Sequence, residues 1–199
     1  WVYVEEFSFN KAFWWSPDSK FVAYSRFDET EVPDFTMQMY AGEVPSNKAN
    51  SLYPGEETFK YPKAGEKNSD VSVKVYEIQS KTTISVELGE IADIYIPRLK
   101  WTPDANNLVV LRLNRLQNQL DILYANPFTG DSRPLLTEKN DRYVDESFLD
   151  DFTYLDNGNF VITSERNGWS HLYLYNNQGF ELAQLTDGEF DVTDFYGYD

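Results

Sequence analysis

The chain has 199 residues, 41% apolar and 17% aromatic, enough to bury a sizeable core and too aromatic for a wholly disordered polypeptide. Its 33 acidic against 17 basic residues leave a net charge of −16, a surface that repels nucleic acid and anionic lipid and favours cationic partners. The absence of cysteine removes disulfides, a thiol nucleophile and any Cys-built zinc site, and no apolar run approaches the ~20 residues of a membrane span.

The chain opens on WVYVEEF, residues 1–7, with no initiator Met and no signal peptide, and so reads as a piece of something longer. Two adjacent glutamates, Glu5 and Glu6, stand between aromatic residues there. Neighbouring carboxylates repel each other and prefer water, whereas the apolar run before them prefers burial. A positive partner would reconcile the two. As a bare dipeptide the pair says little, because Glu56-Glu57 repeats it.

Next come period-two runs, the pattern of half-buried strands, separated by turn signals. WWSPDSKFVAY (14–24), KWTPDANNLVVL (100–111) and TYLDNGNFVIT (153–163) share one plan: an aromatic, a turn, then an apolar strand. From Trp101 to Tyr154 is about one propeller-blade repeat of roughly 40–50 residues, and from Trp15 to Trp101 is one such repeat carrying an insertion. In this plan the aromatic packs between neighbouring blades. An ordinary β-sandwich with similar hairpins is the competing all-β architecture. The insertion falls at about residues 30–62, where Pro33, Pro45, Pro54 and Pro62 accompany Gly42 and Gly55 and the alternation fails. It reads as an excursion from one blade, with Phe35–Tyr40 as a strand whose exposed apolar residues suit a protein contact.

Val71–Tyr76, Phe160–Thr163 and His171–Tyr175 are the clearest strands, and no helix longer than about two turns is expected. Catalytic chemistry is not evident. His171 is the one histidine and opens a strand, where a turn contact is its expected role. Gly168-Trp169-Ser170 imitates a nucleophile elbow, but Leu172 replaces the second glycine and a strand follows instead of a helix. The acidic clusters lack calcium-loop spacing, and no phosphate-binding glycine motif occurs. Neither a catalytic residue nor a metal ligand nor a cofactor is assigned.

WVYVEEF followed by AFWWSPDSKFVAYSRFDETEVP resembles the propeller domain of dipeptidyl peptidase IV-type serine exopeptidases. The resemblance continues through YPKAGEKNSDVSVKVYEI (61–78) and more faintly through NRLQNQLDILYANPFTG (114–130) and SERNGWSHLYLY (164–175). It implies an all-β fold, a partial β-propeller amounting to roughly half of an eight-bladed ring of four-stranded antiparallel blades. Residues 1–199 would be a piece of that N-terminal domain, with the catalytic α/β-hydrolase domain outside the chain.

The resemblance further implies that Glu5 and Glu6 sit on a short helical excursion and bind the free α-amino group of a peptide substrate. The family often has a third acid before them, where this chain has Val4. A second loop, Tyr143 to Phe152, would supply Phe148 to an extended subsite, or Phe148 would pack under its blade. The excursion would act as a dimerisation arm through Phe35, Met37, Met39 and Tyr40, giving a homodimer. The parent would release Xaa-Pro or Xaa-Ala dipeptides, reside in a bacterial periplasm or be secreted, and need no cofactor. A non-catalytic propeller that serves as a binding or scaffolding module is the competing functional reading.

Overall fold

The computed structural model describes residues 2–41, 50, 52–90 and 92–198, without the side chains of Ser147 and Phe148. Gly42 and Pro45 of the expected excursion lie outside the described residues. The chain divides into two compact units, residues 1–26 with 71–199, and Phe27–Asp70.

The larger unit is built from three four-stranded antiparallel sheets. The first takes β1 (Phe13–Trp15), β2 (Phe21–Asp28), β5 (Asp70–Glu77) and β6 (Thr82–Ser85) in that order. Between β2 and β5 the chain makes a separate hairpin, β3 (Asp34–Met39) and β4 (Gly55–Lys60). The second sheet is β7 (Ile94–Trp101), β8 (Leu108–Asn114), β9 (Gln119–Ala125) and β10 (Ser132–Lys139). The third is β11 (Thr153–Tyr154), β12 (Phe160–Ser164), β13 (His171–Tyr175) and β14 (Glu181–Gln184). Successive sheets of neighbouring strands, each packed on the last, form three blades of a partial β-propeller.

Burial follows position in the stack. In β2 the pattern alternates, with Phe21, Ala23 and Ser25 buried and the residues between them less so. In β8 Leu108, Val109, Val110 and Leu111 are all buried, because the middle blade is covered on both faces. A strand covered on both faces reads as a continuous apolar run, and LVVL is one. Phe21, Ala23, Val73 and Val75 of the first blade pack with Ile96, Leu99, Leu108 and Val110 of the second in one apolar cluster.

Two of the three repeated aromatics, Trp101 and Tyr154, sit at these joints; Trp15 is instead about half exposed, and its neighbour Trp14 packs against the first joint. Trp101 stacks on Phe21 at 6.0 Å and donates its indole N–H to the Trp14 carbonyl at 3.1 Å. Tyr154 shares a 2.8 Å hydroxyl–hydroxyl hydrogen bond with Tyr124 of the second blade. Burial pushes both phenols above the usual tyrosine range. Across the same joint Ser164 donates to Glu138 at 2.7 Å and Arg166 pairs with Glu138, while Arg166 also pairs with Glu181 of its own blade.

The smaller unit centres on the β3–β4 hairpin, in which Phe35 faces Phe59, Met37 faces Glu57 and Met39 faces Gly55. Period two puts Phe35, Met37 and Met39 on one face. They are not equally exposed, however. Phe35 lies against Phe59 and Tyr61, with the Lys63 ammonium 5.1 Å from its ring centre, and is half-buried; Met39 is half-buried too, while Met37 and Tyr40 are exposed. The expectation of exposed apolar side chains thus fails for Phe35, because the second strand brings Phe59 to the same face, and for Met39, which is half-buried opposite Gly55.

Candidate functional site

Glu5 and Glu6 lie on α1 (Val2–Phe7), a single short helix. Val and Tyr favour strands by intrinsic preference, so burial decides the conformation here. Tyr3 and Phe7, four residues apart and hence on one helical face, are both buried. Tyr3 contacts Phe7, Phe9 and Tyr95 edge-to-face with ring centroids 5.4–5.8 Å apart, and its hydroxyl accepts the Ile96 N–H at 3.0 Å. Burial raises the Tyr3 hydroxyl well above the usual tyrosine range, so it stays neutral.

The helix ends at Ser8, which takes a left-handed backbone with φ 50°, and the next N–H, of Phe9, returns to the Tyr3 carbonyl at 2.9 Å. A carbonyl of the last turn is thereby satisfied. With the aromatic face held inward, Val4, Glu5 and Glu6 point outward and are exposed.

Beside the glutamates stands the turn between β8 and β9. Gln117 donates from Nε2 to the Glu6 carboxylate at 3.4 Å. Its own carbonyl accepts the Val144 N–H at 2.7 Å, at the start of the Tyr143–Phe152 loop. Arg115 of the same turn pairs with Asp93 at 3.0 Å and lies over the Tyr95 ring. Burial raises the Tyr95 hydroxyl; Arg115 opposes that rise while Asp93 and Glu6 add to it.

The loop is fastened at its other end too. Arg98 forks onto both carboxylate oxygens of Asp150 at 2.8 and 2.9 Å, and Lys100 Nζ donates to the Asp150 and Phe152 carbonyls at 2.7 and 3.3 Å. The Arg98 hydrogen bond holds the Asp150 carboxyl below the usual range against the opposing effect of burial. Leu149 is buried, and Phe152 stacks on Phe160 at 4.5 Å. Phe148 lies in a 3-10 turn, Glu146–Leu149, and its side chain is outside the described residues. The acidic helix and this loop are therefore joined through Gln117, a residue to which the sequence alone assigned no role.

A family model described as the dipeptidyl peptidase IV (DPP IV) N-terminal region matches residues 1–199. The chain belongs to this family. A dipeptidyl peptidase 4 of Trichophyton rubrum is 34% identical over 202 residues, covering 96% of this chain and 25% of that protein. One of Arthroderma otae is 33% identical over 201 residues, covering 97% and 25%. The crystal structure of Porphyromonas gingivalis dipeptidyl peptidase 4 superimposes with a TM-score of 0.89 at 42% identity, over all of this chain and 27% of that one. The chain thus spans about a quarter of the length of the relatives it matches.

Within this DPP IV N-terminal region, Ser170 and His171 do not form a nucleophile–base pair. His171 is fully buried; its Nε2 lies 2.9 Å from the Gly188 carbonyl, which can only accept, so Nε2 carries the proton. Nδ1 then accepts from the Thr186 hydroxyl at 3.0 Å, whose oxygen in turn accepts the Leu172 N–H. Ser170 donates to the Val192 carbonyl at 3.2 Å. Both residues brace turns. Among the described residues no group of three or more His, Asp or Glu side chains could hold a metal ion.

Proposed function

We propose that this chain is the part of a serine-type dipeptidyl peptidase that admits the substrate and binds its N-terminus, with Glu5 and Glu6 gripping the free α-amino group. The observation that carries the reading is a pair of exposed carboxylates on a helix that buried Tyr3 and Phe7 hold in place, in a chain of the DPP IV N-terminal family. Adjacent helical positions diverge by about 100°, so the two carboxylates can approach one cation from two sides.

A peptide α-amino group has a pKa of ~7.7–8.0 and is largely protonated at neutral pH. Its three N–H donors suit two carboxylates through charge-assisted hydrogen bonds, and the ammonium relieves the repulsion between them. Anchoring the amine also sets the register. Two extended residues span at most ~7 Å, so a nucleophile at that distance meets the bond after the second residue. Release of Xaa-Pro and Xaa-Ala dipeptides follows from this ruler together with a second-residue pocket in a hydrolase domain. The loop Tyr143–Phe152 lines the extended subsite with Phe148, and the hairpin bearing Phe35, Met37, Met39 and Tyr40 is the homodimer contact. A periplasmic or secreted bacterial enzyme is the setting this reading favours.

The test is hydrolysis of a Gly-Pro chromogenic amide by the full-length protein that carries this chain, with free and N-acetylated substrate. Hydrogen bonds to charged groups contribute about 1.5–3 kcal/mol. Glu5→Ala and Glu6→Ala should therefore each lower kcat/KM by roughly 10- to 100-fold, and acetylation should abolish turnover. Equal cleavage of the acetylated substrate, with unaffected variants, overturns the reading.

A further inference from the structure

Resting on that reading, the geometry points to Gln117 as a third member of the amine site: a positioning residue that orients the Glu6 carboxylate and ties it to the Tyr143–Phe152 loop. The turn that carries it is braced on every side. Asn114 accepts the Asn118 and Gln119 N–H groups through Oδ1 at 3.0 and 3.1 Å and donates from Nδ2 to Asn118 at 2.8 Å. The Asn118 carbonyl accepts the Asn140 N–H at 3.1 Å, and the Gln117 carbonyl accepts that of Val144. Arg115 is fixed by Asp93.

At the tip of this brace Gln117 takes a left-handed backbone, φ 55°, which a non-glycine side chain adopts only when its surroundings impose it. That backbone allows one residue to face two ways at once, the amide toward Glu6 and the carbonyl toward Val144. A carboxylate only accepts, so the Gln117 amide must present Nε2 to Glu6. Its Nε2 thereby sets the rotation of the Glu6 carboxylate without adding another negative charge beside the two glutamates.

In the full-length protein, with the free-amine Gly-Pro amide, Gln117→Ala should raise KM about three- to tenfold with kcat within about twofold. Gln117→Asn provides the structural control. Asparagine tolerates the left-handed backbone and keeps an amide, but is one methylene too short to reach Glu6. It should match the KM of the alanine variant while keeping the wild-type melting temperature. In a Glu6→Ala background neither change should raise KM further. A wild-type KM for Gln117→Asn, an equal KM rise with and without Glu6, or a fall in kcat at unchanged KM overturns the positioning role. A wild-type KM for Glu6→Ala alone instead overturns the amine clamp itself, so the two failures are told apart.

Discussion

Asp121 shows how one buried charge is kept stable in a chain this acidic. The register of β8, β9 and β10 sets Arg112, Asp121 and Thr137 in a row across three strands. Arg112 reaches one carboxylate oxygen at 2.8 Å, the Thr137 hydroxyl the other at 2.7 Å, and Gln119 both at 3.1–3.2 Å. Burial pushes the Asp121 carboxyl up, but these hydrogen bonds and the Arg112 charge outweigh it and hold it below its ordinary value. A carboxyl depressed by folding adds stability that is fully present above its unfolded pKa of ~3.9 and is lost as pH falls through the folded value. Acid unfolding should therefore steepen below about pH 4. Asp121→Asn should remove that contribution and leave Arg112 buried without its counter-ion. The expected cost is about 3–5 kcal/mol at neutral pH, measured by denaturant unfolding. A loss below 1 kcal/mol, or an unchanged acid limb, would show that Asp121 is not what holds the middle blade.

At the scale of the blade, two glycines do equivalent work. Gly130 ends the turn between β9 and β10, and Gly179 that between β13 and β14; each N–H returns to an asparagine carbonyl, Asn126 and Asn176 respectively. A β-carbon on Gly130 would stand 2.1 Å from the Ser85 carbonyl of the first blade, and one on Gly179 would stand 2.1 Å from the Leu135 carbonyl of the second. Both also have φ of +84°. The second and third blades each press a glycine turn onto the outer strand of the blade before them. Gly158 has a similar φ but open space around it, so Gly158→Ala should cost only about 1–2 kcal/mol of backbone strain. Gly130→Ala and Gly179→Ala add a backbone collision and should each cost about 3 kcal/mol or more. Similar losses for all three in chemical unfolding would mean the blades do not meet through these turns.

The strands and these turns were legible in the sequence because both rest on local chemistry. Ser16-Pro17-Asp18 and Thr102-Pro103-Asp104 close their hairpins through their own hydroxyl–carboxylate hydrogen bonds at 2.7 and 2.6 Å. The glycine-on-carbonyl contacts were not legible, since a glycine in a turn reads the same whether or not a neighbour presses on it. Nor would the period of VYVEEF give a helix. That conformation depends on Tyr95 and Ile96, about ninety residues away in the chain. Gln117 was hidden for the same reason, because its partners Glu6 and Val144 come from two other parts of the chain.

For the larger unit as a whole, the outer faces of the stack govern behaviour in solution. Phe13 and Trp15 are about half exposed on the first blade, and Phe180, Leu182 and Leu185 are comparably exposed on the third. Clustered exposed aromatic and aliphatic side chains favour association, while the net charge of −16 opposes it. The balance shifts with salt: the Debye length falls from ~30 Å at 0.01 M to ~8 Å at 0.15 M, weakening the repulsion and leaving the apolar attraction in place. The 199-residue chain by itself should therefore self-associate, more strongly at higher ionic strength. In sedimentation velocity the weight-average coefficient should rise with concentration, and rise more steeply at 0.15 M salt than at 0.01 M. Trp15→Ser with Phe180→Ser should flatten that dependence without changing the strand content seen by circular dichroism. A sharp monomer boundary, independent of concentration at both salts, would mean that charge alone governs the outer faces.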